Sequence, residues 1–570
     1  MRTNGRVADF IVHYLAAERV GHIFGVGGAN IEDIYDAAYF CDDITAVLAK
    51  HEFSAAAMAD GYGRAGAGLG VVAATSGGAG LNLVPALAES LTSRVPVLAL
   101  VGQPPTTMDG RGSFQDTSGV NGSVDAEALF GTVSLYCGRV RDARDAATML
   151  PEAVAAARTG GPAVLLLPKD VQQSQLAPAA PPVNGRVHPP AADLSPLAAT
   201  LARQMLLGPV TIIAGEQVAR DGARHQLEQL RRALGARVAT VPDAKDVVAE
   251  PGTDPASVLG VTGVMGHPGV AAAIAGSASC LLVGTRLPAT ASAGLEQLLT
   301  HVVTLSVGSA VPYLPCTHFP AGDLKFALEA LLRDVQRISG GVVGASDATS
   351  PTSLTPPEFD GPGVRYREAM SLLDELLTDG TDIVVDAGNT GAAAIHHLPA
   401  RRAGRFIVAL GMGGMGYSFG AGMGIAFARA MTAGTATGKP RRRTVVIAGD
   451  GAFFMNGMEL HTAIEHELPL TAVLFNNNAH AMCVTREQVF YGDRYSYNRF
   501  RRSRLGAGLA AMFPGLSSVD VESLDTLRPA LEAALATDGP SVVSIECSPN
   551  EIPPFLPFLG ANTQTVCPTK

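Results

Sequence analysis

The chain has 570 residues, 47% of them hydrophobic and 16% charged, with a formal net charge of −10. It is too long for a single hydrophobic core and too apolar for a disordered polymer, and the usual domain size leads us to expect about three or four folded units. The acidic balance argues against a nucleic-acid scaffold or an anionic membrane surface as the main partner and favours small molecules.

The first twenty residues carry charges that interrupt any signal-peptide core, and the apolar run 95–101 has the length of a strand, far short of a membrane span. Seven scattered cysteines, without a C-x-x-C pair, fit the reduced thiols of a cytoplasmic protein. In chain order, Phe24-Gly25-Val26-Gly27-Gly28-Ala29 reads as a glycine-rich turn. The apolar run 44–48 leads through Lys50-His51-Glu52 into a helical pattern over 54–63. Strand 70–74 ends in Thr75-Ser76-Gly77-Gly78-Ala79-Gly80-Leu81-Asn82, and strand 95–101 is followed by Gly102-Gln103-Pro104 and Phe114-Gln115. Strand 163–167 closes the first unit. A proline-rich linker is expected at 176–195. The middle unit, 196–339, has strands at 210–214 and 279–283 and an ordinary α/β pattern. A second linker, rich in Ser, Thr, Pro and Gly, is expected at 340–362.

Beyond it, strand 383–385 ends in Asp386-Ala387-Gly388-Asn389-Thr390, and Gly411-Met412-Gly413-Gly414-Met415-Gly416-Tyr417 follows. Strand 444–448 ends in Gly449-Asp450-Gly451-Ala452. An amphipathic stretch at 459–467 leads to strand 470–475, which ends in Asn476-Asn477-Asn478, and a last strand lies at 541–545. Continuous apolar strands alternating with helices indicate parallel sheets covered on both faces. The expected fold class is α/β, with three doubly wound parallel-sheet domains at 1–175, 196–339 and 363–570.

Adjacent parallel strands ending in Asp450 and Asn477 bring both side chains to the sheet edge where open α/β folds bind ligands. Carboxylate and amide oxygens are hard ligands suited to Mg²⁺, which usually completes its octahedron with phosphate oxygens and water. The glycines let backbone N–H groups approach those phosphates. Taken alone, Gly-Asp-Gly is also a common turn. Joined to Asn476-Asn477 at this spacing, it resembles the cofactor motif of thiamine diphosphate-dependent enzymes of the acetolactate synthase and pyruvate decarboxylase group.

The resemblance implies that Asp450, Asn477 and the carbonyl of Ala479 hold Mg²⁺. Gly451, Ala452, Gly388, Asn389 and Thr390 would face the diphosphate, and Gly413 and Met415 would clasp the aminopyrimidine, with Met482 nearby. Gly28, Thr75 and Asn82 belong to the pyrimidine-binding half. Glu52 matches the catalytic carboxyl, shielded from water, although a single Glu at a helix start also serves as partner to the helix dipole. Gln115, His51 and His480 would be polar helpers, and Phe114 would pack beside the donor's methyl group. Glu52 of one subunit would serve cofactor held mainly by another, which implies a homodimer or homotetramer.

The implied activity is decarboxylation of a 2-oxo acid such as pyruvate and transfer of the acyl carbanion equivalent to an acceptor carbonyl. A simple 2-oxo acid decarboxylase or an aldehyde lyase shares the same cofactor residues, and a non-catalytic regulatory paralogue would keep the fold. Arg486 stands where acetolactate synthase carries a tryptophan that grips its acceptor, and this chain contains no Trp. An altered acceptor is therefore expected, chosen by the loop 482–497 and the segment 551–570. Gly266-His267-Pro268-Gly269 resembles a turn that accompanies flavin in those synthases. Gly284-Thr285-Arg286-Leu287-Pro288 lacks the acidic pair that follows there, and Leu305-Ser306-Val307-Gly308 replaces an acidic strand end, so FAD is left open.

Overall fold

The structure, a computed structural model, describes residues 5–176, 193–249, 253–341, 351–433, 442–494 and 497–560. Most of the first expected linker (177–192) and much of the second (342–350) lie outside the described residues. So do 495–496 of the acceptor loop and 561–570 of the final segment.

The first sheet contains β1 (His22–Val26), β2 (Thr45–Leu48), β3 (Gly70–Ala74), β4 (Val97–Gln103), β5 (Tyr136–Arg139) and β6 (Pro162–Pro168), ordered β2-β1-β3-β4-β6-β5. The second contains β7 (Val210–Ala214), β8 (Arg237–Thr240), β9 (Val258–Val261), β10 (Ser279–Val283), β11 (Val303–Gly308) and β12 (Thr317–Pro320), ordered β12-β11-β10-β7-β8-β9. The third contains β13 (Asp382–Val385), β14 (Phe406–Val408), β15 (Thr444–Gly449), β16 (Leu470–Asn476), β17 (Ser517–Val521) and β18 (Ser541–Glu546), ordered β14-β13-β15-β16-β18-β17. Every pairing is parallel. The first and third sheets share one order: second, first, third, fourth, sixth, fifth. The central sheet reads 3-2-1-4-5-6 within itself, the order of dinucleotide-binding folds.

Two expected boundaries move. Residues 22–26 form strand β1, so the glycine-rich turn starts at Gly27 and not at Phe24. The helix expected from residue 54 begins at Glu52, because His51 caps it: its Nδ1 accepts the Phe53 amide at 3.1 Å. Among the described residues, no helix is long and apolar enough to cross a membrane.

The outer domains meet through two helices, Glu52–Tyr62 and Tyr417–Ala433. Glycines let their backbones touch. A Cβ on Gly61 would stand 2.2 Å from the Ala421 carbonyl oxygen, and one on Gly424 would stand 2.0 Å from that of Met58. Ala55, Met58, Phe419 and Ile425 bury one continuous apolar core across this junction. The central domain docks on the third sheet through Lys245. Its buried ammonium donates to the carbonyls of Ala394, Ile395 and Leu398, where the Asn389–His397 helix ends. Burial pushes Lys245 down to about 7.

Candidate active site

Strand order reverses between β13 and β15 in the third sheet, so the loops after these strands line its ligand crevice. They are the 386–390 loop and the Gly449–Ala452 turn. Gly449 of β15 pairs with Phe475 of β16, which brings Asp450 and Asn477 out at the same sheet edge, as the sequence suggests. Both are buried, and among the described residues neither carboxylate oxygen of Asp450 nor Oδ1 of Asn477 has a hydrogen-bond partner at full geometry, although the amides of Gly451, Asn478 and Ala479 face the Asp450 carboxyl. Burial pushes the Asp450 carboxyl up to about 7. Asn477 donates Nδ2 to the Tyr366 hydroxyl at 3.4 Å, which leaves its oxygen for another partner.

Buried oxygens without partners are costly unless a cation or water meets them. The donor set fits a hard divalent cation. No cluster of three His, Cys, Asp or Glu among the described residues is placed to hold one alone, so phosphate oxygens would complete the shell. Ala479 is buried beside Asn478, whose φ of 55° turns the chain sharply after β16. The Phe500 amide to the Asn478 carbonyl (2.6 Å) and the His480 amide to the Asn498 carbonyl (2.9 Å) pin this turn.

A Cβ on Gly451 would stand 2.6 Å from His480 Nδ1 and 3.3 Å from Met415 Cε. Thus Gly451, His480 and Met415 converge. His480 Nδ1 is buried without a partner, its ring edge-on to Phe500 at 4.8 Å. Gly388 has φ +100° and open space where a Cβ would lie, a backbone that an anion could approach. Asn389 and Thr390 are buried next to it, and Asn389 Nδ2 donates to Thr485 Oγ1 at 3.1 Å, tying this loop to the helix that carries Met482. Ala452 is buried on the Asp450–Asn456 helix.

Asp386, read with the diphosphate loop, does something the sequence did not signal. Its buried carboxylate accepts the amides of Gly416 and Ser418, each at 3.0 Å, and so ties the Gly411–Tyr417 turn to the end of β13. Gly413 has φ +65° and lies open.

In the first sheet the order reverses between β1 and β3, and the same logic groups Gly28, Thr75 and Gln115. A Cβ on Gly28 would stand 2.6 Å from Thr75 Cγ2, and Thr75 Oγ1 donates to Gln115 Oε1 at 3.4 Å. Gln115 takes φ +63°, an uncommon conformation for a non-glycine residue. Asn82 Nδ2 donates to Glu52 Oε2 at 2.9 Å. Glu52 is half-buried in the single chain and not withdrawn from water, and Phe114, next to Gln115 in sequence, is 81% exposed. Behind Glu52, the Lys50 amide donates to the buried Glu459 carboxylate at 3.0 Å, and Ser54 Oγ donates to Asn456 Oδ1 at 3.3 Å. The first turn of this helix therefore rests on the third sheet's domain.

Arg486 follows Thr485, the partner of Asn389, on the same helix. It is exposed on the Ala481–Tyr491 helix, with its guanidinium 5.7 Å from the Phe490 ring. No carboxylate pairs with it among the described residues.

The central sheet has its own crevice, at the reversal between β7 and β10. Arg94, Arg220, Arg286, Tyr313 and Gly411 line it. Nε of Arg94 and of Arg286 are buried without partners, and burial, then Arg220 and Arg286, hold Arg94 below its usual value.

Compared with known proteins, the chain matches the thiamine pyrophosphate enzyme family in three parts. The N-terminal TPP binding domain matches residues 5–122, the central domain 208–306 and the C-terminal TPP binding domain 386–545. It is 27% identical to a probable acetolactate synthase large subunit of Methanocaldococcus jannaschii, over 99% of this chain and 95% of that one. It is 28% identical to the acetolactate synthase isozyme 2 large subunit of Escherichia coli, over 98% of each. It is 27% identical to the chloroplastic acetolactate synthase 2 of Nicotiana tabacum, over 97% of this chain and 84% of the relative.

Proposed function

The chain belongs to the thiamine pyrophosphate enzymes, and from that premise we propose that it is a magnesium-dependent carboligase joining a 2-oxo acid donor, pyruvate foremost, to an acceptor other than a second pyruvate. The observation that carries the reading is the set of buried, unpartnered oxygens on Asp450 and Asn477 beside Met415 and His480. When bound, thiamine diphosphate supplies a ring carbon that adds to the donor's carbonyl and an electron sink for the pair left as carbon dioxide departs.

The chain's own residues do the rest. Asp450, Asn477 and the Ala479 carbonyl would bind the cation, and the Gly388–Thr390 and Gly451–Ala452 amides would bind the diphosphate. Met415 would support the ring system from the Gly411–Tyr417 clasp. Glu52 Oε2 accepts from Asn82, which leaves Oε1 to carry a proton. Phe114, Gln115, His51 and His480 are assigned to the donor side, with His51 also serving as helix cap. The half-exposed Glu52 and the exposed Leu48, Phe114 and Met412 favour completion of the site by a second copy, as a homodimer or a pair of dimers.

Acceptor choice is assigned to Arg486, an exposed guanidinium without a carboxylate partner among the described residues, suited to clamp an acceptor's carboxylate or phosphate. Arg486→Ala is expected to raise KM about tenfold for an anionic acceptor, the size of losing one charged hydrogen bond. Product analysis with pyruvate and a panel of carbonyl acceptors checks this. Acetolactate formation from pyruvate alone at a biosynthetic rate would sink the altered-acceptor assignment.

The central crevice carries Arg94, Arg220 and Arg286 beside the carboxylates of Glu216 and Asp243, and Arg220 pairs with Glu216 at 3.3 Å. Arg94 and Arg286, whose Nε atoms meet no partner among the described residues, fit the diphosphate of a dinucleotide, and we assign the crevice FAD. The purified protein is expected to release a flavin on denaturation. A colourless protein whose spectrum is unchanged by added FAD would remove the assignment.

A further inference from the structure

Buried charge is concentrated where the Val84–Thr92 helix meets the Gly411–Tyr417 turn. Asp60, Arg64 and Glu89 are all buried there. Arg64 donates Nε to Asp60 Oδ1 at 2.6 Å and Nη2 to Glu89 Oε1 at 3.5 Å. Two carboxylates share one guanidinium, so a surplus negative charge is buried, and neutral donors must meet it. The Tyr417 hydroxyl and Ser90 Oγ donate to Asp60, and Ser93 Oγ donates to Glu89 at 2.6 Å. The remaining donors are main-chain amides of the turn: Met412 to Glu89 Oε2 at 2.6 Å and Gly411 to Oε1 at 3.4 Å. Gly411 lies so close to the helix that a Cβ would stand 2.0 Å from Thr92 Oγ1. The turn is thus tethered at both ends by buried carboxylates, Glu89 at Gly411–Met412 and Asp386 at Gly416–Ser418.

We infer that Glu89 is a positioning residue for the reaction: from the N-terminal domain it fixes where the turn begins, and hence where Gly413 and Met415 meet the cofactor. The inference rests on reading that turn as the cofactor clasp. Every partner of Glu89 donates to it, and only the Ser93 hydroxyl could also accept. A glutamine would free the Gly411 amide with its NH₂ in the Oε1 place, or the Met412 amide with its NH₂ in the Oε2 place, with little change in volume.

The test uses the full chain with magnesium and thiamine diphosphate. Glu89→Gln is expected to lower kcat about 100-fold at saturating cofactor, the cost of a misplaced reacting group, while the donor KM stays within about twofold. The circular-dichroism signal of the bound cofactor changes with it. Gly411→Ala, which keeps the Glu89 carboxylate and its Arg64 and Ser93 partners but pushes the turn off the helix, is expected to do the same and carries the test if Glu89→Gln does not fold. Met415→Ala serves as the control for the clasp. If Met415→Ala loses kcat and the cofactor signal while Glu89→Gln and Gly411→Ala keep both, the inference is overturned and the clasp stands. If Met415→Ala keeps both, the clasp reading falls and the inference falls with it.

Discussion

Glu52→Gln is expected to lower turnover about 10²–10⁴-fold, the range of a lost general acid–base group, with cofactor and magnesium still bound. The substitution isolates the proton. Glutamine keeps an oxygen for Asn82 Nδ2, and the helix keeps its cap, because that cap is the side chain of His51 acting on the Phe53 amide. The packing that holds the helix also begins after residue 52, at Phe53, Ala55 and Met58. Folding should therefore be unchanged, and calorimetry of cofactor binding should match the parent chain while kcat collapses. Turnover within a few-fold of the parent would remove Glu52 from the chemistry.

Asp450→Ala should act on binding instead. Loss of an outer-shell partner costs roughly 10–100-fold in metal affinity, and loss of the single carboxylate in the donor set should exceed that. Equilibrium dialysis with magnesium and thiamine diphosphate is expected to show cofactor retention lost. The cofactor-free protein should respond in the opposite sense. Its Asp450 is a buried carboxyl whose desolvation outweighs the nearby amides of Gly451, Asn478 and Ala479, so removing it relieves a cost, and the melting temperature of the cofactor-free variant should equal or exceed that of the parent. Undiminished retention of the cofactor, or release that chelation does not bring about in the parent chain, would contradict the assignment.

The strands that the sequence discloses are those buried on both faces. β3, β4, β6, β7, β10, β13, β15, β16 and β18 coincide with its apolar runs to within two residues at either end. The strands it hides sit mostly toward sheet edges, where one side meets water and the apolar run breaks. β17 alternates exposed and part-buried positions and buries only Val521, whereas β2, which buries only Val47, shows in sequence merely as the apolar run 44–48. β1 is different. Gly25 makes it look like a turn, but a Cβ there would stand 2.0 Å from the Ala73 carbonyl oxygen, so the glycine answers close packing inside a strand.

The same division runs through the site. Asp450 and Asn477 are legible because parallel register alone brings two strand ends together. The tethers of Glu89 and Asp386 are not, because their partners are main-chain amides, in one case more than 300 residues away, and an amide carries no signature in sequence. Thr485, which holds Asn389, is hidden for a similar reason: nothing local marks which hydroxyl a distant loop will meet.

The glycine contacts at Gly61 and Gly424 limit how the enzyme can breathe. Two rods whose main chains already touch cannot slide or hinge without breaking a fit that no side chain is there to cushion. The domains bearing Glu52 and Asp450 in one polypeptide therefore travel as a single rigid body. Any opening that admits reactants or releases products falls to the surface loops or to the seam between copies.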